Sequence, residues 1–401
     1  MDPIVADWIS LAVRWAHVMV GIMWIGTSFH FIWLDSSLRR EQGMKEGLAG
    51  ASWMVHGGGF YHATKYLVAP AEMPADLHWF KYEAYFTWIT GFLLLAIVYY
   101  LGASDLLIDP RVMELTPWEA IGISVGGLAA GWIIYDLLCR SPIGEKTGIL
   151  AFLVFALACV SAYGFTHVFS GRAAFVHVGA FLGTIMAANV FFIIIPNQKK
   201  VVASLIKGEA PNPVLGRQAK QRSLHNNYLT LPVVLMMISN HYPMMFEREG
   251  SWLIIAGILI FSGLLRLYSN LKNAGGKGST ITVILFYAGM VGMAAAGYAS
   301  YRPGADLAAV GPVTLADVQA IVAHRCRGCH SAQPTDTAYK APPKGIAFDT
   351  VDQIQRMAPQ IERMVVLTQA MPLANKTGML PEERLKIAKW LADTKAEPVT
   401  E

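Results

Sequence analysis

The chain has 401 residues, of which 54% are hydrophobic and 15% charged. A soluble globular domain carries about 25% charged residues, so the composition argues against an ordinary soluble enzyme and points to a membrane protein. The net charge is only +4 and the Lys and Arg residues cluster between apolar stretches, which argues against nucleic acid as a partner.

The first residues, "MDPIVADW", are acidic where a cleavable signal peptide would be basic, so the first apolar segment reads as a permanent membrane helix. Stretches long enough to cross a hydrocarbon core of about 30 Å occur at residues 8–34, 79–101, 118–138, 149–169, 174–195, 226–246, 252–271 and 280–300. After Tyr301 the composition turns polar. The expected fold is all-α: an eight-helix transmembrane bundle over 1–300, a linker over 301–312, and a small all-α domain over 313–401. Eight spans place both termini on one side. The loops after odd-numbered spans carry fourteen Lys and Arg, including Arg217, Lys220, Arg222 and Lys277, whereas the opposite loops carry Arg111, Arg172 and Arg248. The positive-inside rule then predicts a multi-pass membrane protein with the odd loops cytoplasmic and both termini on the outer, periplasmic side.

In chain order, three parts of the membrane region carry chemistry. Span 1 contains "WAHVMVGIMWIG", similar to the first helix of a bacterial haem-binding membrane family. Ionisable groups within a membrane are costly and default to a functional role. On the predicted topology His17, His167, His177 and His241 lie toward the periplasm on different helices, which makes them candidate ligands of a b-type haem. The plain alternative is that each bonds to a backbone carbonyl. Next comes "HGGGFYHATKYLVAPAEMPADLHWFKYEAYFTW", residues 56–88. Gly57–Gly59 permit a tight turn, and the absence of a GK[ST] ending argues against nucleotide binding. Lys65, His78, Lys81 and Glu83 place charge beside aromatic residues at a membrane boundary, as interface anchors or as a site for a planar, anionic, hydrogen-bonding substrate. Third, "SLHNNYLTLPVVLMMISNHYP" carries Asn226 and Asn227, which could join helices or hydrogen-bond a purine edge. Cys139 and Cys159 read as small buried hydrophobes.

The C-terminal region contains "CRGCH". Cys326 and Cys329 are placed to form thioethers to haem c, with His330 as the proximal iron ligand. No second ligand pair follows at zinc-site spacing. "TLADVQAIVAHRCRGCH" reads as a helix entering the motif, and "PEERLKIAKWLAD" as a closing helix with Trp390 on its apolar face. Met371, before Pro372, is the expected distal ligand and Met379 the second choice. This pattern resembles a class I cytochrome c over about residues 313–395. Covalent c-haem is attached on the periplasmic side, where the loop charges independently place this domain.

Taken together, "RWAHVMVGIMWIGTSFHF", "HGGGFY" through "LHWFKYEAY", "ANVFFIIIPNQK", "NNYLTLPV" with "SNHYP", and the CxxCH domain resemble the membrane-bound urate hydroxylase family (PuuD type). The resemblance implies oxidation of urate to 5-hydroxyisourate, with electrons leaving through haem c to a soluble cytochrome c or terminal oxidase rather than forming hydrogen peroxide. For such a substrate the expected pocket is at residues 56–83. Lys65 and Lys81 supply charge there, Phe60, Trp79 or Phe80 stack, His78 moves a proton, and Glu83 orients Lys81 or acts as base; the alternative lies deeper, near Asn226 and Asn227. The rival functions are a quinol-linked electron-transfer subunit with no urate site and a haem-regulated transporter. A homo-oligomer is compatible with the sequence.

Overall fold

The computed structural model describes residues 3–70, 72–246, 250–274, 280–301, 307, 309–336 and 339–396. Arg248, Lys277 and part of the expected linker lie outside them. From the N-terminus, α1 (Pro3–Ser37) is followed by strands β1 (Leu48–His56) and β2 (Gly59–Tyr66), then α2 (Tyr82–Leu95), which runs on through π turns at Ala96–Tyr100 and Ala103–Leu107. Next come α3 (Pro117–Arg140), α4 (Thr147–Thr166), α5 (Gly171–Ala188), α6 (Ile195–Ile206), α7 (Pro213–Ser239), α8 (Ser251–Asn273) and α9 (Thr280–Tyr301). A π turn, Asn189–Ile194, joins α5 to α6. The C-terminal part contains α10 (Leu315–Arg325), α11 (Val351–Arg356), α12 (Ala358–Ile361) and α13 (Pro381–Ala396).

Local chemistry sets several helix starts. Thr116 and Glu119 form a reciprocal capping box ahead of α3, with Pro117 in the first turn. Thr314 with Asp317 and Thr350 with Gln353 do the same for α10 and α11.

The structure departs from the sequence expectation in two places. The fold is not purely helical: β1 and β2 pair antiparallel, from Leu48 opposite Tyr66 to His56 opposite Gly59. The turn needs positive φ at both central residues, and Gly57 and Gly58 adopt +58° and +80°. The second departure is α7. It begins at Pro213, capped by Asn212, well before the expected 226. Arg217, Lys220 and Arg222, counted from sequence as loop cations, lie inside it.

Among the described residues, six helical segments are long and apolar enough to cross a membrane: Asp7–Ser37, Tyr82–Tyr100, Pro117–Arg140, Thr147–Thr166, Gly171–Ile206 and Ser251–Asn273. The polar first half of α7 keeps it outside that group, and the apolar stretch described in α9, Thr282–Gly292, is shorter. Large apolar side chains on α1 face outward, with Trp15 69% and Ile22 63% exposed, as an apolar surrounding allows.

The helical core centres on α5, which packs against α3, α4 and α7. Gly131 of α3 lets Phe181 of α5 close in; a Cβ at 131 would overlap the ring. A separate apolar cluster holds the C-terminal part together, built from Val318, Ile321 and Val322 of α10, Phe348, Met379, and Ile387, Trp390 and Leu391 of α13.

Candidate functional site

Successive helical residues point about 100° apart, so neighbours on α7 can serve two different walls. Asn226 and Asn227 do this, and a buried polar cluster forms on each side.

On the first side, Asn226 Oδ1 accepts from Asn189 Nδ2 at 2.9 Å, and its own Nδ2 donates to the Met186 carbonyl. Asn189 opens the π turn after α5, the kind of irregularity that often accompanies functional positions. Its Nδ2 also reaches the Tyr135 hydroxyl oxygen at 3.0 Å, and that hydroxyl lies 2.7 Å from His225 Nδ1. Arg222, only 2% exposed, donates from Nη2 to Asp136 Oδ1 at 2.7 Å, with its guanidinium 4.9 Å from the Tyr135 ring. This cation is therefore compensated by a carboxylate from α3.

The second side differs. Arg266 of α8 is 6% exposed and has no carboxylate partner among the described residues. Its guanidinium lies 3.9 Å from the centre of the Phe29 ring of α1. One turn further along α8, Asn270 Nδ2 donates to Asn227 Oδ1 at 3.2 Å. Arg266 Nε and Nη2, Asn227 Nδ2 and Asn270 Oδ1 are buried without hydrogen-bond partners. Each such orphan costs about 1–3 kcal/mol, and native structures keep few of them without a reason. Three donors, one acceptor, an uncompensated cation and an aromatic face suit a planar anion that presents both C=O and N–H edges.

The residues expected at 56–83 sit elsewhere. Phe60 is 78% exposed at the hairpin. Lys65 pairs with Asp35 at 2.7 Å. His78 is exposed and packs edge-on against Phe80. Lys81 precedes α2 with its ammonium 4.7 Å from the Tyr82 ring, and Glu83 is half-buried in the first turn of α2. Trp79 packs into a small cluster with Ala84, Val190 and Ile195. Arg266, Phe29, Asn270, Arg222, Asp136, Asn189 and Tyr135 escaped the reading of the sequence as site residues. The signal for Arg266 was available, because an arginine inside the apolar run "GLLRLYS" is as anomalous as an intramembrane histidine.

The four histidines expected toward the periplasm contact different partners. His17 Nδ1 lies 3.0 Å from Thr90 Oγ1. His167 Nδ1 donates to the Tyr163 carbonyl, four residues back. His177 is fully buried; its Nδ1 donates to the Ala173 carbonyl at 2.7 Å, so Nε2 accepts from Ser124 Oγ at 2.7 Å. Its ring is enclosed by Tyr99, Phe165 and Phe169. His241 is exposed. Both His177 nitrogens are thus engaged inside the protein, whereas the contacts of His17 and His167 use Nδ1.

The C-terminal residues fit a c-type haem. His330 Nδ1 donates to the Ile346 carbonyl at 2.9 Å, which fixes the tautomer and leaves the Nε2 lone pair available to a metal. Burial pushes the Cys326 thiol up to about 12, so it is not poised as a reactive thiolate. Met379 is 1% exposed and belongs to the core, whereas Met371 is half-buried. Arg384 fixes the Met371 segment by donating to its carbonyl at 2.7 Å.

Comparison with known proteins gives one family: the model described as urate oxidase N-terminal matches residues 3–297. No curated protein and no solved structure matches the chain.

Proposed function

The chain belongs to the urate oxidase N-terminal family, and from that premise we propose that it is a membrane-bound oxidoreductase that converts urate to 5-hydroxyisourate. Urate monoanion and water yield 5-hydroxyisourate, two electrons and one proton. The six long apolar helices support a membrane location; in this proposal the protein sits in a bacterial inner membrane with its C-terminal part periplasmic.

The observation that carries the substrate assignment is the buried, uncompensated Arg266. Its free N–H groups, the orphan atoms of Asn227 and Asn270, and the Phe29 ring match the urate monoanion in charge, planarity and mixed donor–acceptor edges. Arg266 balances the anion, Asn227 Nδ2 donates to a ring carbonyl, and Asn270 Oδ1 accepts from a ring N–H. Cys326, Cys329, His330 and Met371 would hold haem c, which supplies a one-electron acceptor between urate and a soluble cytochrome c or terminal oxidase.

The test is a reduced-minus-oxidised spectrum of purified protein before and after urate, taken without oxygen. A c-type haem reduced by urate, with 5-hydroxyisourate formed, supports the assignment. A haem that responds to quinol but not to urate would replace it with an electron-transfer subunit lacking a substrate site.

A further inference from the structure

Among the described residues, an ion pair joins the C-terminal part to the helical bundle. Lys376 Nζ lies 3.3 Å from Asp105 Oδ1 and 3.0 Å from Asp336 Oδ2. Each end is firmly seated. Asp105 sits on the π turn Ala103–Leu107, whose last residue is fully buried; Ser170 N donates to the Leu107 carbonyl and Ser170 Oγ to the Leu106 carbonyl. Lys376 lies between Asn375, whose side chain bonds both the amide and the carbonyl of Met379, and Thr377, whose hydroxyl donates to the Arg325 carbonyl at 3.0 Å. Asp336 bonds through its backbone amide to the Gly328 carbonyl, and its carboxylate lies 3.5 Å from Cys329 Sγ. Lys376 thus connects a rigid turn of the bundle to both the CxxCH segment and the loop that follows Met371.

We propose that Lys376 is a positioning residue that docks the C-terminal domain, Cys329 side inward, on the Ala103–Leu107 turn. An exposed ion pair is weak between free partners. A tether changes that, because it raises the effective concentration of the second partner to about the millimolar range, so a weak contact holds the docked state without locking it. The orientation rests on the haem reading above; the contact itself does not.

Zero-length carbodiimide coupling of the full-length protein, followed by peptide mass spectrometry, tests the contact without any turnover. A Lys376–Asp105 amide is expected in the native chain and not in Asp105→Asn. Coupling of Lys376 to Asp336 alone would overturn the docking. The second measurement is the rate of haem reduction by urate. Asp105→Lys should slow it about tenfold, since like charges then face each other, and the slowing should shrink as salt is raised. The swap Asp105→Lys with Lys376→Asp should restore the rate. A rate insensitive to both variants would refute the positioning role. Failure of urate to reduce any variant, with the cross-link intact, would count against the urate assignment and not against the docking.

Discussion

Replacing Arg266 by Met separates binding from folding. In the native chain the guanidinium is buried, lies over the Phe29 ring 3.9 Å from its centre, and carries two N–H groups with no hydrogen-bond partner among the described residues. If those groups bind urate, their removal deletes two charge-assisted hydrogen bonds of at least about 1.5 kcal/mol each. The sum, about 3 kcal/mol, corresponds to about a 100-fold rise in Kd. Stability should respond differently. The variant loses a cation–π contact worth up to about 2 kcal/mol but also removes a buried charge with no counter-ion, whose replacement by a hydrophobe of similar volume is often neutral or stabilising. The two effects oppose, so the unfolding midpoint should stay close to native. Calorimetric titration with urate and thermal unfolding in the same detergent provide the check. Arg266→Lys should recover only part of the affinity, because an ammonium cannot present the planar fork. Native affinity in Arg266→Met would refute the pocket assignment, and a collapsed midpoint with no binding would show that Arg266 is structural.

The compensated side of α7 should behave in the opposite way. Asp136→Ala strands Arg222 as an unpaired buried charge and should cost about 3–5 kcal/mol in thermal unfolding, whereas adding Arg222→Met should recover most of it. In the C-terminal part, Met371→Ala should lower the haem reduction potential in a redox titration, because methionine ligation raises it. Met379→Ala should leave the potential in place while costing about 2–5 kcal/mol of stability, as expected for a core methionine. Asp349 accepts from Ala332 N and Ser331 Oγ, and these bonds hold its carboxyl below the ordinary value. Its contribution to stability is therefore present above the unfolded value of about 4 and lost as pH falls through the depressed folded value. Acid unfolding monitored by near-UV dichroism should lose this component in Asp349→Asn.

Much of this architecture was legible because it rests on local signals. Apolar run length places the helices, the paired glycines at 57 and 58 place a turn, and CxxCH with its flanking periodicity marks the C-terminal part. Long-range compensation is what the sequence hides. "RQAKQRS" reads as a loop because its charges look unaffordable in a helix core, yet Asp136, some eighty residues earlier, neutralises Arg222 there. The histidines are hard to sort for a related reason. His167 and His177 each find a carbonyl four residues back, a bond that serves a core histidine and a metal ligand alike, so sequence alone does not separate the two. Asn227 could be singled out by composition, but its partners Arg266 and Asn270 lie on another helix and only folding brings them to it.

The polarity of α7 also bears on how the chain is made. A helix carrying Arg222, His225, Asn226 and Asn227 toward its middle, with Pro232 further along, is a poor candidate for release alone into lipid during synthesis. Arg222 needs Asp136 of α3, Asn226 needs Asn189 of the π turn, and Asn227 needs Asn270 of α8. Two of these partners precede α7 in the chain and one follows it. The segment should therefore wait beside the insertion machinery until α8 emerges, then partition with it as a hairpin against α3 and α5 already in place. With a single cysteine introduced into α7, which has none of its own, arresting synthesis just after the helix should leave that thiol accessible to aqueous thiol reagents, and extending the chain past α8 should protect it.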